Sequence, residues 1–145
     1  MKKFNYYLIT DPEYYTNNLK IFEEKLRDVL KNKRVDIACF RDKTSSNINE
    51  LAKLFISVCK EYNIEDIFIN QNIDLAKELN FDGIHLTANQ FDKIQKAKNI
   101  GLKTIISCHT FKEIEEAIEL KADTVTFSPI FETPNKGEPK GIDLL

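Results

Sequence analysis

The sequence predicts an α/β fold in which a parallel sheet is covered by helices, built from about six βα units of roughly 15 to 30 residues each. Two observations support this prediction. Short apolar runs alternate with longer segments whose apolar residues recur at helical spacing. Polar residues collect directly after the apolar runs, where parallel α/β folds place their ligand sites. The 145 residues fit one domain, and no linker, low-complexity tract or internal sequence repeat divides them.

Each element follows from a local pattern. The apolar residues of the first helix, such as Leu19, Phe22 and Leu26, recur every three or four positions, and Asn17 or Asn18 can cap it. Gly101 ends the fourth helix, and Thr110 is a suitable cap for the fifth. The predicted strands are 4–10, 35–40, 66–69, 83–86, 102–106 and 124–127, and the predicted helices are 19–30, 51–62, 73–79, 89–98 and 111–120.

Composition excludes several classes of protein. Lys and Arg number 21 against 23 Asp and Glu, and no basic run with interleaved aromatic residues occurs, so nucleic acid is not an expected partner. No apolar stretch approaches the roughly 20 residues of a membrane span, and the chain start leads into a strand pattern rather than a signal peptide. We therefore expect no membrane association and a cytoplasmic protein. Three cysteines without a CxxC motif indicate reduced thiols, with Cys59 in the core.

The stretch from Asp123 to Gly141 contains the strongest sign of a ligand site. An apolar strand leads into hydroxyl, amide and lysine side chains on a loop shaped by Pro and Gly. Such a loop supplies hydrogen-bond donors on a fixed backbone, which suits a phosphorylated ligand. The alternative is an ordinary polar surface turn. The candidates here are Thr133, Asn135 and Lys136.

Arg41 and Lys43 follow the second predicted strand and are two residues apart. On an extended segment they point the same way, and a guanidinium fork beside an ammonium point charge suits phosphate oxygens. The alternative is two unrelated surface cations. Asn70 closes the third strand and Ser107 the fifth, so both belong to the same series of residues at the strand ends.

His109 lies between a strand and a helix cap, where an imidazole can act as general acid or base near neutral pH. The alternative is a hydrogen-bonded structural residue. His85 lies within an apolar strand, and we interpret it as structural. Cys39 and Cys108 stand beside polar candidates, but no Cys/His/Asn spacing supports nucleophilic catalysis by either.

Six short motifs occur in order at the predicted strand ends: YLITD (7–11), FRDK (40–43), FINQNIDLA (68–76), DGIHL (82–86), SCHT (107–110) and SPIFETPNKG (128–137). Together they resemble the thiamine phosphate synthase/TenI family over nearly the whole chain. The resemblance implies a (β/α)8 barrel of the TIM-barrel type. It also implies one of two activities: joining a pyrimidine diphosphate to a thiazole phosphate with Mg²⁺, or, in the TenI branch, isomerising the thiazole carboxylate phosphate.

By position, the resemblance implies roles for the candidates already named. Arg41, Lys43 and Asn70 would hold the pyrophosphate of a synthase. Phosphate contacts are implied for Ser107, Thr133 and Lys136, with Asn135 in place of a usual threonine. The expected ligand is a small phosphorylated thiazole or pyrimidine.

Three departures from the synthase pattern change the expected activity. Cys39 replaces a glutamine, and Gln71 and Gln90 replace the two acidic metal ligands. Mg²⁺ favours anionic oxygens, so we expect no metal site and no cofactor, with Mg²⁺ only if the synthase interpretation holds. Asp92 could substitute as a ligand only with a shifted helix start. The resemblance then favours a TenI-like tautomerase in which His109 is the acid/base; the alternatives are a thiamine-phosphate synthase and a non-catalytic phosphate-binding or interaction protein.

The length predicts an incomplete barrel. A full barrel needs about 200 residues or more, so the last two βα units are absent and the chain is expected to be C-terminally truncated relative to the family. The first and sixth strands would then keep open edges, which invite pairing with another chain. We therefore expect a homo-oligomer or a partner that covers these edges.

Overall fold

The structure, a computed structural model, describes residues 4–144, with Leu144 described by its backbone only. The six strands lie in the sheet in the same order as along the chain. The first and second strands, the second and third, and the fifth and sixth pair in parallel. The strands are β1 (Tyr7–Ile9), β2 (Ile37–Phe40), β3 (Asp66–Asn70), β4 (Gly83–Leu86), β5 (Lys103–Cys108) and β6 (Thr124–Phe127). The helices are α1 (Pro12–Tyr15), α2 (Leu19–Asn32), α3 (Ile48–Glu61), α4 (Ile73–Glu78), α5 (Ile94–Asn99) and α6 (Phe111–Glu119).

The predicted α/β fold of about six βα units is confirmed. The helix expected over 89–98 begins instead with a 3₁₀ turn at Phe91–Lys93 and becomes α-helical at Ile94. Helix α1 was missed because four residues are too few to show a periodic pattern. Within the described part of the chain, no helix is long and apolar enough to cross a membrane. β1 and β6 end the strand order, and the oligomer expected from their edges stays a prediction.

The chain divides into two compact units, the first reaching Ile84 and the second starting at His85. In the first unit, the rings of Phe22, Phe40 and Phe55 form a buried series with centroids 5.6–6.0 Å apart. They join the amphipathic faces of α2 and α3 to β2, so the sheet and its helical cover share one apolar core. Arg27 of α2 adds an exposed ion pair with Glu61 of α3 at 2.7 Å.

In the second unit, β5 and β6 pair in register, with Ser107 opposite Thr126 and Cys108 opposite Phe127. Ile94 and Ala97 of α5 and Ala117 of α6 are fully buried. Helix α6 starts with a capping box, because Thr110 accepts from the Glu113 N–H at 3.1 Å while the Glu113 carboxylate accepts from the Thr110 N–H. These contacts fix where β5 ends and α6 begins.

The amino ends of three strands share one device. Asp36, Asp82 and Asp123 each stand directly before a strand, and each accepts a backbone N–H 2.8 Å away from the start of the preceding strand. We call these three residues the amino-end carboxylates. Each bond lies within one unit, and each ties a βαβ pair at its base. The N–H donors are those of Tyr6, Ile67 and Thr104 respectively.

Candidate functional site

In the first unit, β2 and β3 end side by side. Phe40 is the register partner of Ile69, so Arg41 and Asn70 follow at neighbouring strand ends. The buried hydroxyl of Thr10 accepts the Arg41 N–H at 2.9 Å and holds that end of β2 in place. Among residues 4–144, the Arg41 guanidinium and the Lys43 ammonium form no hydrogen bond or ion pair with a side chain or backbone group. Two cations on a fixed backbone are therefore free to bind an anion.

Asn70 has an unsatisfied acceptor within the described structure. Its side-chain oxygen is buried and receives no hydrogen bond. A buried polar atom without a partner costs free energy, about 1–3 kcal/mol, unless a ligand supplies the donor. The next residue, Gln71, has a φ of +63°, a conformation that favours glycine. The end of β3 is therefore a place where strain and an unpaired oxygen coincide.

Asp42 fixes the turn between the two cations, a role that the sequence analysis missed. Its carboxylate accepts from the Thr44 N–H at 2.9 Å, the Ser45 N–H at 3.0 Å and the Ser45 hydroxyl at 2.6 Å. Burial raises the pKa of Asp42, but these hydrogen bonds outweigh it and hold the pKa below its ordinary value of 3.8. The signal in the sequence was an Asp with hydroxyl residues two and three positions later, which is typical of an Asx turn.

The three cysteines are free and buried. Burial raises the pKa of Cys39 and of Cys59 to about 12, and that of Cys108 to about 11. Burial also raises the pKa of Tyr7, which neighbours Cys39. Protonated thiols are poor nucleophiles, and the absence of cysteine catalysis stays a prediction.

In the second unit, three polar side chains from adjacent strands form a row. His85 Nε2 lies 3.0 Å from Ser107 Oγ, and the Thr126 hydroxyl donates to the same oxygen at 3.3 Å. We call this the His85–Ser107–Thr126 row. His85 is 5% exposed, whereas Ser107 and Thr126 are half-buried. The residue interpreted as structural thus touches a residue predicted to bind phosphate.

His109 lies just beyond β5 and is held from two sides. Its Nδ1 lies 2.9 Å from the Ser128 carbonyl oxygen, and its backbone N–H donates to the Glu113 carboxylate. A carbonyl only accepts, so Nδ1 carries the proton and Nε2 of the neutral ring is left as the basic nitrogen. The ring is half-buried. This orientation suits an acid/base group, whose role stays a prediction.

The loop residues Thr133, Asn135 and Lys136 are exposed. They line a cavity of about 760 Å³ formed by residues 132–139. The Thr133 hydroxyl donates to the Phe131 carbonyl at 3.0 Å, and Asn135 has a φ of +58°. No hydrogen bond between described residues links these three side chains to Ser107 or His109, so their phosphate contacts remain a prediction.

The residues at the two family metal positions do not fit Mg²⁺. Gln90 Oε1 accepts from the Thr87 N–H at 3.1 Å, so this neutral oxygen already completes a turn of the fold. Gln71 offers only an amide. Among residues 4–144, no group of three or more His, Cys, Asp or Glu side chains could hold a metal ion. Asp92 is exposed in the 3₁₀ turn before α5.

A family model described as "Thiamine monophosphate synthase" matches residues 6–145. The chain belongs to this family. It is 33% identical over 142 residues to the thiamine-phosphate synthase of Halalkalibacterium halodurans, an alignment that covers 94% of this chain and 64% of that protein. It is 32% identical over 145 residues to the thiamine-phosphate synthase of Shouchella clausii, covering 95% of this chain and 66% of that one.

A solved structure gives the fold independently. Thiamine phosphate pyrophosphorylase from Pyrococcus furiosus superimposes with a TM-score of 0.75 at 24% identity, over 89% of this chain and 62% of that chain. The six-unit, partial TIM-barrel-like fold expected from the βα pattern, the resemblance and the chain length is thereby confirmed. The chain spans about 64% of the length of the first of the curated synthases it matches. These relatives are named as synthases, and none of them points specifically to the TenI branch.

Proposed function

We propose that this chain forms thiamine phosphate from a pyrimidine diphosphate and a thiazole phosphate, releasing pyrophosphate. The observation that carries the proposal is its 33% identity to a thiamine-phosphate synthase over 94% of its own residues. This reverses the order favoured by the sequence analysis, which put the tautomerase first. The expected ligands are therefore small phosphorylated thiazoles and pyrimidines.

The first unit supplies groups suited to the departing pyrophosphate. As the bond between the pyrimidine methylene carbon and the diphosphate oxygen breaks, the leaving group takes the electron pair and gains negative charge. Cations that are already in place stabilise such charge without reorganisation. Arg41 and Lys43 have no described protein partner, and Thr10 and Asp42 hold their backbone. The thiazole nitrogen then donates its lone pair to the methylene carbon, forming the new C–N bond.

No step of this proposal passes through a metal ion. Gln71 and Gln90 are neutral, and the Gln90 oxygen is already used by Thr87. The family pattern has two carboxylates at these positions, which would hold a Mg²⁺ ion. The two neutral amides supply neither the negative charges of those carboxylates nor a site for the positive charge of the ion. We infer that Arg41 and Lys43 carry more of the leaving-group stabilisation here than they would beside a bound Mg²⁺.

The second candidate function is a TenI-like thiazole tautomerase, which the geometry of His109 favours. The Ser128 carbonyl selects the ring form whose Nε2 can take a proton. In this function, Nε2 would remove a proton from the ring carbon beside the thiazole nitrogen or return one to it. Ser128 is then a positioning residue, because it acts only through the imidazole.

One assay separates the two functions. The chain is supplied with the pyrimidine diphosphate, the thiazole carboxylate phosphate tautomer and Mg²⁺, with and without a competent synthase, and thiamine phosphate is measured. Product without the added synthase supports the proposal, and acceleration only in its presence supports the tautomerase. No effect in either reaction would contradict both and leave a non-catalytic phosphate-binding protein.

Two variants sharpen the assay. Arg41→Ala should abolish synthase turnover, since it removes the guanidinium fork. His109→Asn keeps an N–H that can reach the Ser128 carbonyl but removes the basic nitrogen, so it should abolish tautomerase turnover alone. Full synthase activity in Arg41→Ala would overturn the assignment of the leaving-group site.

A further inference from the structure

We propose that His85 and Thr126 orient the Ser107 hydroxyl so that it donates its proton to an anionic phosphate oxygen. His85 is thus a positioning residue for ligand binding. The inference rests on the proposed function only in that the ligand carries phosphate. It goes beyond the resemblance, which gives no role to His85 or Thr126.

The argument starts from the capacity of one hydroxyl. Ser107 Oγ has one proton to donate and two lone pairs that accept. Thr126 donates to one lone pair at 3.3 Å. If His85 Nε2, at 3.0 Å, donates to the other, both acceptor sites are filled. The Ser107 proton then has no partner within the row and points outward as an oriented donor.

The opposite arrangement makes a different prediction. If Ser107 donates to His85 Nε2, the hydroxyl presents a lone pair to any ligand, which would repel phosphate and suit an amino group. An anion therefore favours the ring form with a proton on Nε2. Phosphate binding and the position of the proton on the His85 ring are therefore coupled through the Ser107 hydroxyl, and both can be measured.

Register explains why the row exists. Ser107 and Thr126 are partners in the β5–β6 ladder, and partners in a parallel ladder place their side chains on the same face. β4 contributes His85 to that face through the 3.0 Å contact. With a proton on His85 Nε2, the row ends on a Ser107 hydroxyl whose proton can be directed to a ligand.

The test is a set of matched variants titrated with inorganic phosphate and, separately, with inorganic pyrophosphate. Ser107→Ala should weaken binding roughly tenfold, as expected for loss of one hydrogen bond to a charged group. Thr126→Val is isosteric and should weaken binding roughly threefold through the orientation alone. Thr124→Val, two residues earlier on β6 and exposed, is the control and should change nothing.

His85 needs two variants. Gln places an N–H close to the position of Nε2 and should retain most of the affinity, whereas Leu should lose it to the same extent as Thr126→Val. In the Ser107→Ala background, neither His85→Leu nor Thr126→Val should weaken binding further. Long-range ¹H–¹⁵N spectra should show the His85 proton on Nε2 at saturating phosphate.

Several results would overturn the inference. One is that Ser107→Ala leaves the affinity for both anions unchanged. Another is that Thr126→Val weakens binding further in the Ser107→Ala background. A third is that His85 Nε2 carries no proton in the phosphate-bound state. Denaturation midpoints check that each variant is folded, and Thr126→Val serves if His85→Leu is not. Because the readout is equilibrium binding, a chain that binds phosphate but makes no thiamine phosphate refutes the proposed function and leaves this inference standing.

Discussion

The two ends of the strands use polar groups in opposite ways. At the amino ends, each of the amino-end carboxylates accepts a hydrogen bond from a backbone N–H group of the same unit. At the carboxyl ends, Arg41 and Lys43 have no described partner, and a buried oxygen of Asn70 receives no donor. The difference teaches that charge alone does not mark a site. A polar group whose hydrogen bonds are complete within the fold stabilises it, and one whose bonds are incomplete is available to a ligand.

The largest expected effect is on the pyrophosphate affinity of the groups at the carboxyl ends of the strands. Arg41→Ala should weaken pyrophosphate binding by roughly 10- to 100-fold, because charge-assisted hydrogen bonds to a phosphate are lost. Its free energy of unfolding should stay within about 0.5 kcal/mol of the parent, since the side chain has no described protein partner. Isothermal titration calorimetry and urea unfolding measure the two quantities. Lys53→Ala, an exposed cation of α3, is the control, and an equal loss of affinity there would mean that only net charge matters.

The next effect should fall on stability alone. Asp82→Ala leaves the Ile67 N–H without its 2.8 Å acceptor and should cost about 1–3 kcal/mol of unfolding free energy. Pyrophosphate affinity should be unchanged. Asp82→Asn retains an acceptor oxygen and should recover part of the loss. The comparison between strand ends fails if Asp82→Ala weakens binding as much as Arg41→Ala does.

Sequence alone could predict the elements and the residue types at the strand ends. β4 and β6 have the predicted limits, and Asn18 caps α2 by accepting the Ile21 N–H. The start of α5 was misplaced because the Gln90 side chain accepts the Thr87 N–H, a contact that periodicity does not reveal. Local patterns gave the elements, and side-chain hydrogen bonds moved their ends.

Side-chain contacts between strands could not be predicted from the sequence. His85 and Ser107 are 22 residues apart, and only strand order and register bring the imidazole to the hydroxyl. The sequence predicted a structural role for His85 because its apolar neighbours indicate a buried position, whereas nothing in the sequence indicates its contact with Ser107. The amino-end carboxylates did leave a signal, an Asp directly before each of three apolar runs. Without the pairing, that signal did not indicate which N–H each carboxylate meets.

Asp42 is an exception to this comparison. It lies just beyond the carboxyl end of β2, yet its carboxylate already accepts three hydrogen bonds within the fold. Asp42→Asn should cost about 1–2 kcal/mol at neutral pH, because it weakens the contacts with Thr44 and Ser45. The folded-state pKa lies below 3.8, so the contribution of the carboxylate is fully present above 3.8 and is lost as the pH falls through the folded-state pKa. Urea unfolding from neutral pH down to about pH 2 should therefore show the parent and Asp42→Asn converging in acid. A constant difference across that range would show that the charge contributes nothing.

The smallest effect should come from the cap of α6, a carboxyl-end group whose hydroxyl oxygen already accepts a hydrogen bond within the fold. Thr110→Ala removes the acceptor for the Glu113 N–H and should cost about 1 kcal/mol of unfolding free energy. Thr110→Ser keeps the hydroxyl and should cost a few tenths at most. Phosphate affinity should be unaffected in both, since the Thr110 oxygen already has its donor. If Thr110→Ala weakens phosphate binding while Thr110→Ser does not, the cap belongs with the ligand-binding groups, and completeness of hydrogen bonding no longer separates the two strand ends.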